Sequence, residues 1–230
     1  MRLSAGATFS HSGSTTFGGV LNNQNLSQEI SAAFAAASNA AAQTCTQTFA
    51  TLNGSQTITG VAGLNVICIS SVELNGGSIV NLNAPAGAQF ILNITGKFAL
   101  TGGSKIMASG GLKPQNVLYN IVGTGADVAF SGGGGGVGCC KTTVDGTLLA
   151  PERKIALSPG LVNGAIISGR DISIVSGASV RCPAPPAPAV NTITVKAKVG
   201  SFSGSACSSD IEGKPFSLTS HCSATVECRQ

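Results

Sequence analysis

One short pattern, returning four times between Lys97 and Gly177, constrains the fold of this chain more than any other feature. It reads KFALTG at Lys97–Gly102, DVAFSG at Asp127–Gly132, KIALSP at Lys154–Pro159 and DISIVSG at Asp171–Gly177. Each copy opens with a charge and then alternates a large apolar residue with a small one. Side chains alternate faces along a strand, so Phe98, Leu100, Val128, Phe130, Ile155, Leu157, Ile172 and Ile174 fall on one side. Ala99, Thr101, Ala129, Ser131, Ala156, Ser158 and Ser173 fall on the other. A second strand-like segment precedes each copy: FILNITG, VLYNIVG, GTLLAP and GAIISG. Recurrence at spacings of some tens of residues is the signature of a solenoid. In a stack, the large residues fill one core and the small ones build a flat outer face. Function is expected on that face.

Composition agrees with such a fold. Hydrophobic residues make up 43% of the 230, enough for a sizeable core, while charged residues are 10% and aromatics 4%. The 31 glycines serve tight turns between flat strands. A net charge of +4, scattered along the chain, lacks the basic patch that nucleic acid requires. Eight cysteines, several in polar turn-rich sequence, point to disulfides and an oxidising compartment. Asn25-Leu-Ser, Asn53-Gly-Ser and Asn93-Ile-Thr match the acceptor pattern for N-glycosylation, which matters only in a eukaryotic, secretory source. The opening MRLSAGATFS lacks the apolar run of a signal peptide, and no stretch is long enough to cross a membrane. The expectation is a mature secreted chain whose leader has been removed and Met1 added.

Taken in order, Leu3–Val20 reads as one or two short strands broken by glycines, with His11 solvated among Ser and Thr. Residues 25–43, NLSQEISAAFAAASNAAAQ, read as a helix with Asn25 and Gln28 as a capping box. Ile30, Ala33, Phe34, Ala37 and Ala41 mark its apolar stripe. An Ala-lined helix can lie close against a sheet. Thr48–Thr59 is hairpin- or strand-like, and the stack is expected from about Leu64 to Cys182. The five glycines of Gly132–Gly136 have no Gly-Lys-Ser/Thr after them, so they are no phosphate loop. They read as an excursion pinned by Cys139 or Cys140. Residues 183–190, beginning PAPPAP, form a stiff linker, and 191–230 a tail with three more cysteines and strand-like NTITVKAKV. The expected fold is therefore all-β: an irregular, discontinuous β-solenoid over 1–182 with one long helix alongside, and a disulfide-containing C-terminal tail.

The residues also carry a family resemblance. Ala35–Gln43, then VELNGGSIVNLNAPAGAQFILNITGKFALTGG, NVLYNIVG, VDGTLLAP and GLVNGAIISG resemble the choice-of-anchor A domain of secreted and surface proteins. The segments run from about Ser27 to Cys182. The arrangement is also similar, at a greater distance, to the bacterial-type ice-binding domain. That resemblance implies a solenoid, an extracellular setting and no catalytic motif. The chain departs from the anchor family in its eight Cys and in having no visible anchor.

Three function classes follow. In the first, the ladder Ala99, Thr101, Ala129, Ser131, Ala156, Ser158 and Ser173 is a flat array of methyl and hydroxyl groups that orders water against ice. Lys97, Asp127, Lys154 and Asp171 then form a margin of alternating sign, which is equally the pattern of ordinary weak surface pairs. In the second, the chain is an adhesion module for matrix or cell surface, although one Tyr and no Trp argue against sugar platforms. In the third it is an enzyme, but Glu73, Asp127, Asp145, Glu152 and Asp171 form no paired-carboxylate motif and no metal-ligand spacing is present. The reading taken forward is a secreted, monomeric, cofactor-free ice-binding protein that is not an enzyme. Its partner is the ice crystal surface, with extracellular adhesion as the alternative.

Overall fold

The structure, a computed structural model, describes residues 2–4, 21–132, 141–175, 177–181, 193–198, 210–211, 214–215 and 224–229; before 25 and beyond 181 the description is of strands alone. The chain divides into two units, Met1–Pro183 and Ala184–Gln230. The first opens with β1 (Arg2–Ser4) paired in parallel with β2 (Leu21–Gln24), followed by α1 (Ser27–Ala41). From Gln47 the chain winds into coils. The first coil holds β3 (Gln47–Leu52) and β4 (Gln56–Thr59), the second β5 (Leu64–Leu74) and β6 (Ile79–Asn83). Each later coil has three strands. The third holds β7 (Gln89–Ile94), β8 (Phe98–Thr101) and β9 (Lys105–Ser109). The fourth holds β10 (Val117–Ile121), β11 (Val128–Ser131) and β12 (Thr143–Asp145). The fifth holds β13 (Thr147–Ala150), β14 (Ile155–Ser158) and β15 (Leu161–Asn163). The sixth holds β16 (Ile166–Ser168), β17 (Ile172–Ile174) and β18 (Ser179–Arg181).

Parallel pairing between successive coils makes three walls. A helix-covered wall stacks the first part of β5, then β7, β10, β13 and β16. A bare wall stacks the second part of β5, then β8, β11, β14 and β17. A mixed wall stacks β4, β6, β9, β12, β15 and β18. This is the β-solenoid that the recurrence predicts, and from 47 to 181 its coils stack in chain order. It starts one coil earlier than Leu64. Residues 48–59 are not a hairpin: Gln47–Leu52 runs parallel to Ile67–Val72, and Gln56–Thr59 to Val80–Asn83.

Alternation decides the core. Phe98, Leu100, Val128, Phe130, Ile155 and Leu157 all point inward, each at most 1% exposed. The rings of Phe98 and Tyr119 meet edge-on at 5.8 Å, and Phe98 meets Phe130 at 6.0 Å. Such pairs add about 0.5–1.5 kcal/mol each beyond their buried area. Tyr119 is fully buried and its hydroxyl donates to the Asp145 carbonyl at 3.0 Å. Burial, and then the nearby Asp145 charge, push its pKa well above the ordinary value.

Corners are set by two devices. Where the bare wall turns into the mixed one, Gly76, Gly102 and Gly132 stack with φ of 57°, 62° and 80°. A Cβ on Gly102 or Gly132 would also strike the backbone nitrogen of the glycine one coil earlier. Gly132 is thus a corner residue of the stack rather than part of an excursion; 133–140 lie outside the described residues. Where the helix-covered wall turns into the bare one, Arg153 is 2% exposed. Its guanidinium donates to four carbonyls on two earlier coils: Thr95, Gly96, Val122 and Gly123. Burial lowers the pKa of this group, with neighbouring Glu152 opposing the shift. It remains a cation in any ordinary solvent.

The helix lies across β7, β10 and β13. Asn93 donates to the Ala40 carbonyl at 2.8 Å and Asn120 to that of Ala37 at 2.9 Å. Asn120 also donates to the Asn93 Oδ1 at 2.8 Å. The match is geometric. Three residues of helix rise about 4.5 Å, and stacked strands lie about 4.8 Å apart, so one Asn per coil meets one carbonyl every three residues. Cys68, in register with Asn93, carries the fold's Cys45–Cys68 disulfide just beyond the helix end. Alanines make the close approach possible: Ala33 and Ala37 are half-buried and Ala40 is buried. Ile30 and Phe34, expected in the same stripe, are 38% and 44% exposed. The expected capping box is not formed either. Asn25 Oδ1 accepts from the amide and hydroxyl of Ser27, so the cap is a local turn of the residues just before the helix.

In the second unit, β19 (Ile193–Lys198) pairs in parallel with β22 (Ala224–Arg229), and β20 (Asp210–Ile211) pairs with β21 (Lys214–Pro215). Among the described residues the disulfide is Cys45–Cys68, near the start of the stack rather than at the C-terminus. The tail cysteines, like Cys139, Cys140, Cys182 and both histidines, fall outside the described side chains.

Candidate functional site

All seven ladder residues stand on the bare wall, in two columns. Ala99 pairs with Ala129, Ala129 with Ala156, and Ala156 with Ser173. Thr101 pairs with Ser131, and Ser131 with Ser158. Every one points away from the core: Ser131 is exposed and the other six are half-buried. The burial of β8 and β14 alternates strictly between the two faces, and that of β11 differs only in its fully exposed end. Rungs repeat about every 4.8 Å along the stack, and columns lie about 6.7 Å apart along each strand. From Ala99 and Thr101 onward, neither column holds a side chain longer than threonine. The surface is consequently a grid of methyl and hydroxyl groups with no charge inside it. Ser109 stands on β9 of the mixed wall, its hydroxyl donating to the Leu82 carbonyl at 3.3 Å.

A charge closes one end of the grid. Glu73 pairs in register with Ala99, so it heads the alanine column, and it binds Lys97 at 2.8 Å. This corrects the expected pairing along the margin. Among the described residues, Lys97 takes Glu73 as its partner, and no ion pair joins Asp127, Lys154 and Asp171. The place of Glu73 was readable and was missed. VELNGG at Val72–Gly77 aligns with FALTGG at Phe98–Gly103 and VAFSGG at Val128–Gly133, so the pattern occurs a fifth time with a charge in place of alanine.

The other carboxylates have structural neighbours or none. Asp145 is 5% exposed; it accepts from the Ala108 amide at 3.0 Å and from Asn163 at 2.7 Å. It supplies an acceptor to β9 where the three-residue β12 stops. Asp127 and Asp171 are exposed at the margin. Among the described residues no three His, Cys, Asp or Glu converge as a metal site would need. No described helix is long and apolar enough to cross a membrane.

The mixed wall offers no comparable array. Its outward positions run from Thr57 through Asn81 to Met107 in one column, and Asp145, Asn163 and Arg181 form another set in register. Chemistry changes at nearly every rung. Of the three walls, one is covered, one is heterogeneous and one is regular.

The fold and its one uniform wall define a class: a three-walled parallel β-solenoid with a helix on one wall and a flat small-residue grid on another. The chain belongs to the family described as "Putative Ice-binding-like adhesive domain", whose model matches residues 3–181. Among solved structures it is similar to an ice-binding protein from an Antarctic ascomycete, Antarctomyces psychrotrophicus. The two are 17% identical with a TM-score of 0.52, over 73% of this chain and 77% of that one, a likeness of fold. No curated protein matches. The family matched is an ice-binding-like adhesive one, in line with the more distant of the two resemblances read from the sequence, and it is not specifically the choice-of-anchor A family.

Proposed function

We propose that the bare wall binds ice, through Ala99, Thr101, Ala129, Ser131, Ala156, Ser158 and Ser173. The observation that carries this reading is the in-register grid itself: three and four rungs of small side chains, backed by a packed core that holds them flat. Water over such a grid has few strong hydrogen-bonding groups to follow, and the methyl groups leave it to bond to itself. The regular spacing then fixes where that water sits. A sheet of water held in a repeating pattern can merge with a growing ice face. Chemistry of this kind needs no cofactor, metal or proton transfer, so the protein acts as a binder and not as an enzyme. The same reading makes it a secreted, extracellular monomer that inhibits ice growth or recrystallisation, and keeps the kinship with choice-of-anchor A domains that its sequence segments suggest.

The test is the purified protein on a single ice crystal in a cooled stage. Faceting of the crystal, with a gap between melting and freezing points, is the expected result. A crystal that grows as a smooth disc would reject the reading. In that case the family's adhesive description favours the second one, in which the same wall docks on an extracellular matrix or cell-surface partner.

A further inference from the structure

Three N-glycosylation acceptor patterns occur in the sequence, and the structure treats them very differently. Asn93-Ile-Thr lies in β7, where Asn93 is 4% exposed. Its amide donates to the Ala40 carbonyl of the helix and its oxygen accepts from Asn120, each at 2.8 Å. A sugar on that nitrogen would occupy the space of the helix. Asn25-Leu-Ser is exposed, but it runs straight into the first turn, with Asn25 Oδ1 held by the amide and hydroxyl of Ser27. Asn53-Gly-Ser forms the turn between β3 and β4. Asn53 and Ser55 are both exposed, Ser55 Oγ accepts from the Ile79 amide at 3.0 Å and so fixes the turn, and nothing lies within 4 Å of where a side chain on Gly54 would begin. No hydrogen bond ties the Asn53 side chain to the rest of the described residues.

We propose that Asn53 is the principal N-glycan acceptor of this chain, and that Asn93 is excluded because its amide clamps the helix to the solenoid. In the transfer, Asn53 Nδ2 forms a bond to the anomeric carbon of a polyisoprenyl-diphosphate-linked oligosaccharide. The carbon–oxygen bond to the diphosphate breaks, the lipid diphosphate leaves with the electron pair, and Nδ2 loses one proton. An acceptor of this pattern belongs on a surface turn, and 53–55 is such a turn. Molecules modified at Asn93 before folding could not dock the helix, so they would not join the folded, secreted pool. Position adds a consequence. Asn53 follows Leu52, which pairs with Val72, while Glu73 follows Val72 and heads the alanine column. The acceptor therefore stands one rung beyond Glu73, outside the seven small residues of the grid. The inference rests on the secreted setting proposed above and not on what the bare wall binds.

The test is to secrete the full chain from yeast, release glycans with peptide-N-glycosidase in heavy-oxygen water, and map the peptides. Each formerly occupied asparagine then reads as a labelled aspartate. Label at Asn53 in most molecules and none at Asn93 is the expected result. Asn53→Gln and Ser55→Ala should each remove that glycan and its gel shift, so a folding defect in one variant does not decide the matter. An unlabelled Asn53, or label at Asn93 in protein that keeps its native protease resistance, would overturn the proposal.

Discussion

The helix-covered wall and the bare wall are built from the same coils on the same core, yet their outward columns differ in kind. On the covered wall the column reads Cys68, Asn93, Asn120, Leu149. On the bare wall it reads Ala99, Ala129, Ala156, Ser173. The first column supplies what a helix needs in order to dock: a covalent tie, two amide donors for its last carbonyls, and an apolar seat. There the strict alternation is lost, because Asn93 and Ile94, Asn120 and Ile121, and Leu149 and Ala150 are buried alike. The second column supplies no reach at all. Among the described residues, what separates the wall that the helix covers from the one without a covering element is whether the outward residues can satisfy another piece of backbone.

Breaking the joint between the walls should have the largest effect. Arg153→Leu leaves four corner carbonyls without their donor. A loss of about 3–5 kcal/mol is expected, read as a shift of the urea midpoint. Arg153→Lys should recover only a small part, since one ammonium cannot span the fork. Next comes the tie of the covered wall alone. Cys45→Ser opens a link spanning 23 residues, which the chain-entropy account values at about 3 kcal/mol. Asn120→Ala should cost about 1–3 kcal/mol, because the Ala37 carbonyl and Asn93 Oδ1 each lose a donor. Helix amides should then exchange faster while the bare wall stays protected.

Alkaline pH gives a milder probe of the shared core. Tyr119 is the single tyrosine of the chain, and its folded pKa lies well above the ordinary value. Below about pH 10 both states hold the phenol proton and no pH dependence arises from it. Above that, the unfolded state releases the proton and the folded state keeps it. Stability should therefore fall as pH rises past 10, by about 1.4 kcal/mol per pH unit. Phenolate absorbance should appear only together with unfolding; a titration near 10 in the folded protein would contradict the burial.

How much of this the sequence carried depends on the range of the signal. The bare wall was legible because alternation is a local code: Phe98-Ala99-Leu100-Thr101 states both faces within four residues. The helix was legible from its alanines, and its buried side in part: Ala33 and Ala37 of the expected stripe are half-buried, while Ile30, Phe34 and Ala41 are exposed. Ile30 and Phe34 looked like core by spacing, yet where Asn93 and Asn120 hold the helix close the contacts are alanines, and Phe34 only lines the edge beside Ile121 and Pro151. Those asparagines gave no local sign of their role, since Asn93 reaches Ala40 across 53 positions and Asn120 reaches Ala37 across 83. Arg153, too, acts through carbonyls on two earlier coils. The first coil was read as hairpin- or strand-like and left out of the stack for a related reason: a parallel coil and a hairpin share the same strand composition, and only the partner strand distinguishes them. Glu73 is the exception, a local signal present in VELNGG and overlooked because one rung of the column is charged.

The central claim is that the bare wall is the working surface, and Ala129→Tyr in the middle of its alanine column tests it most directly. The substitution adds bulk to an outward position, so stability, read from urea unfolding, should change by no more than about 0.5 kcal/mol. Thr57→Tyr, exposed on the mixed wall, is the matching control. The measurement is the gap between melting and freezing points on a single ice crystal, at equal concentrations of the three proteins. The account predicts that the native protein and Thr57→Tyr keep the gap and the facets, while folded Ala129→Tyr loses most of both. An undiminished gap in folded Ala129→Tyr would contradict it.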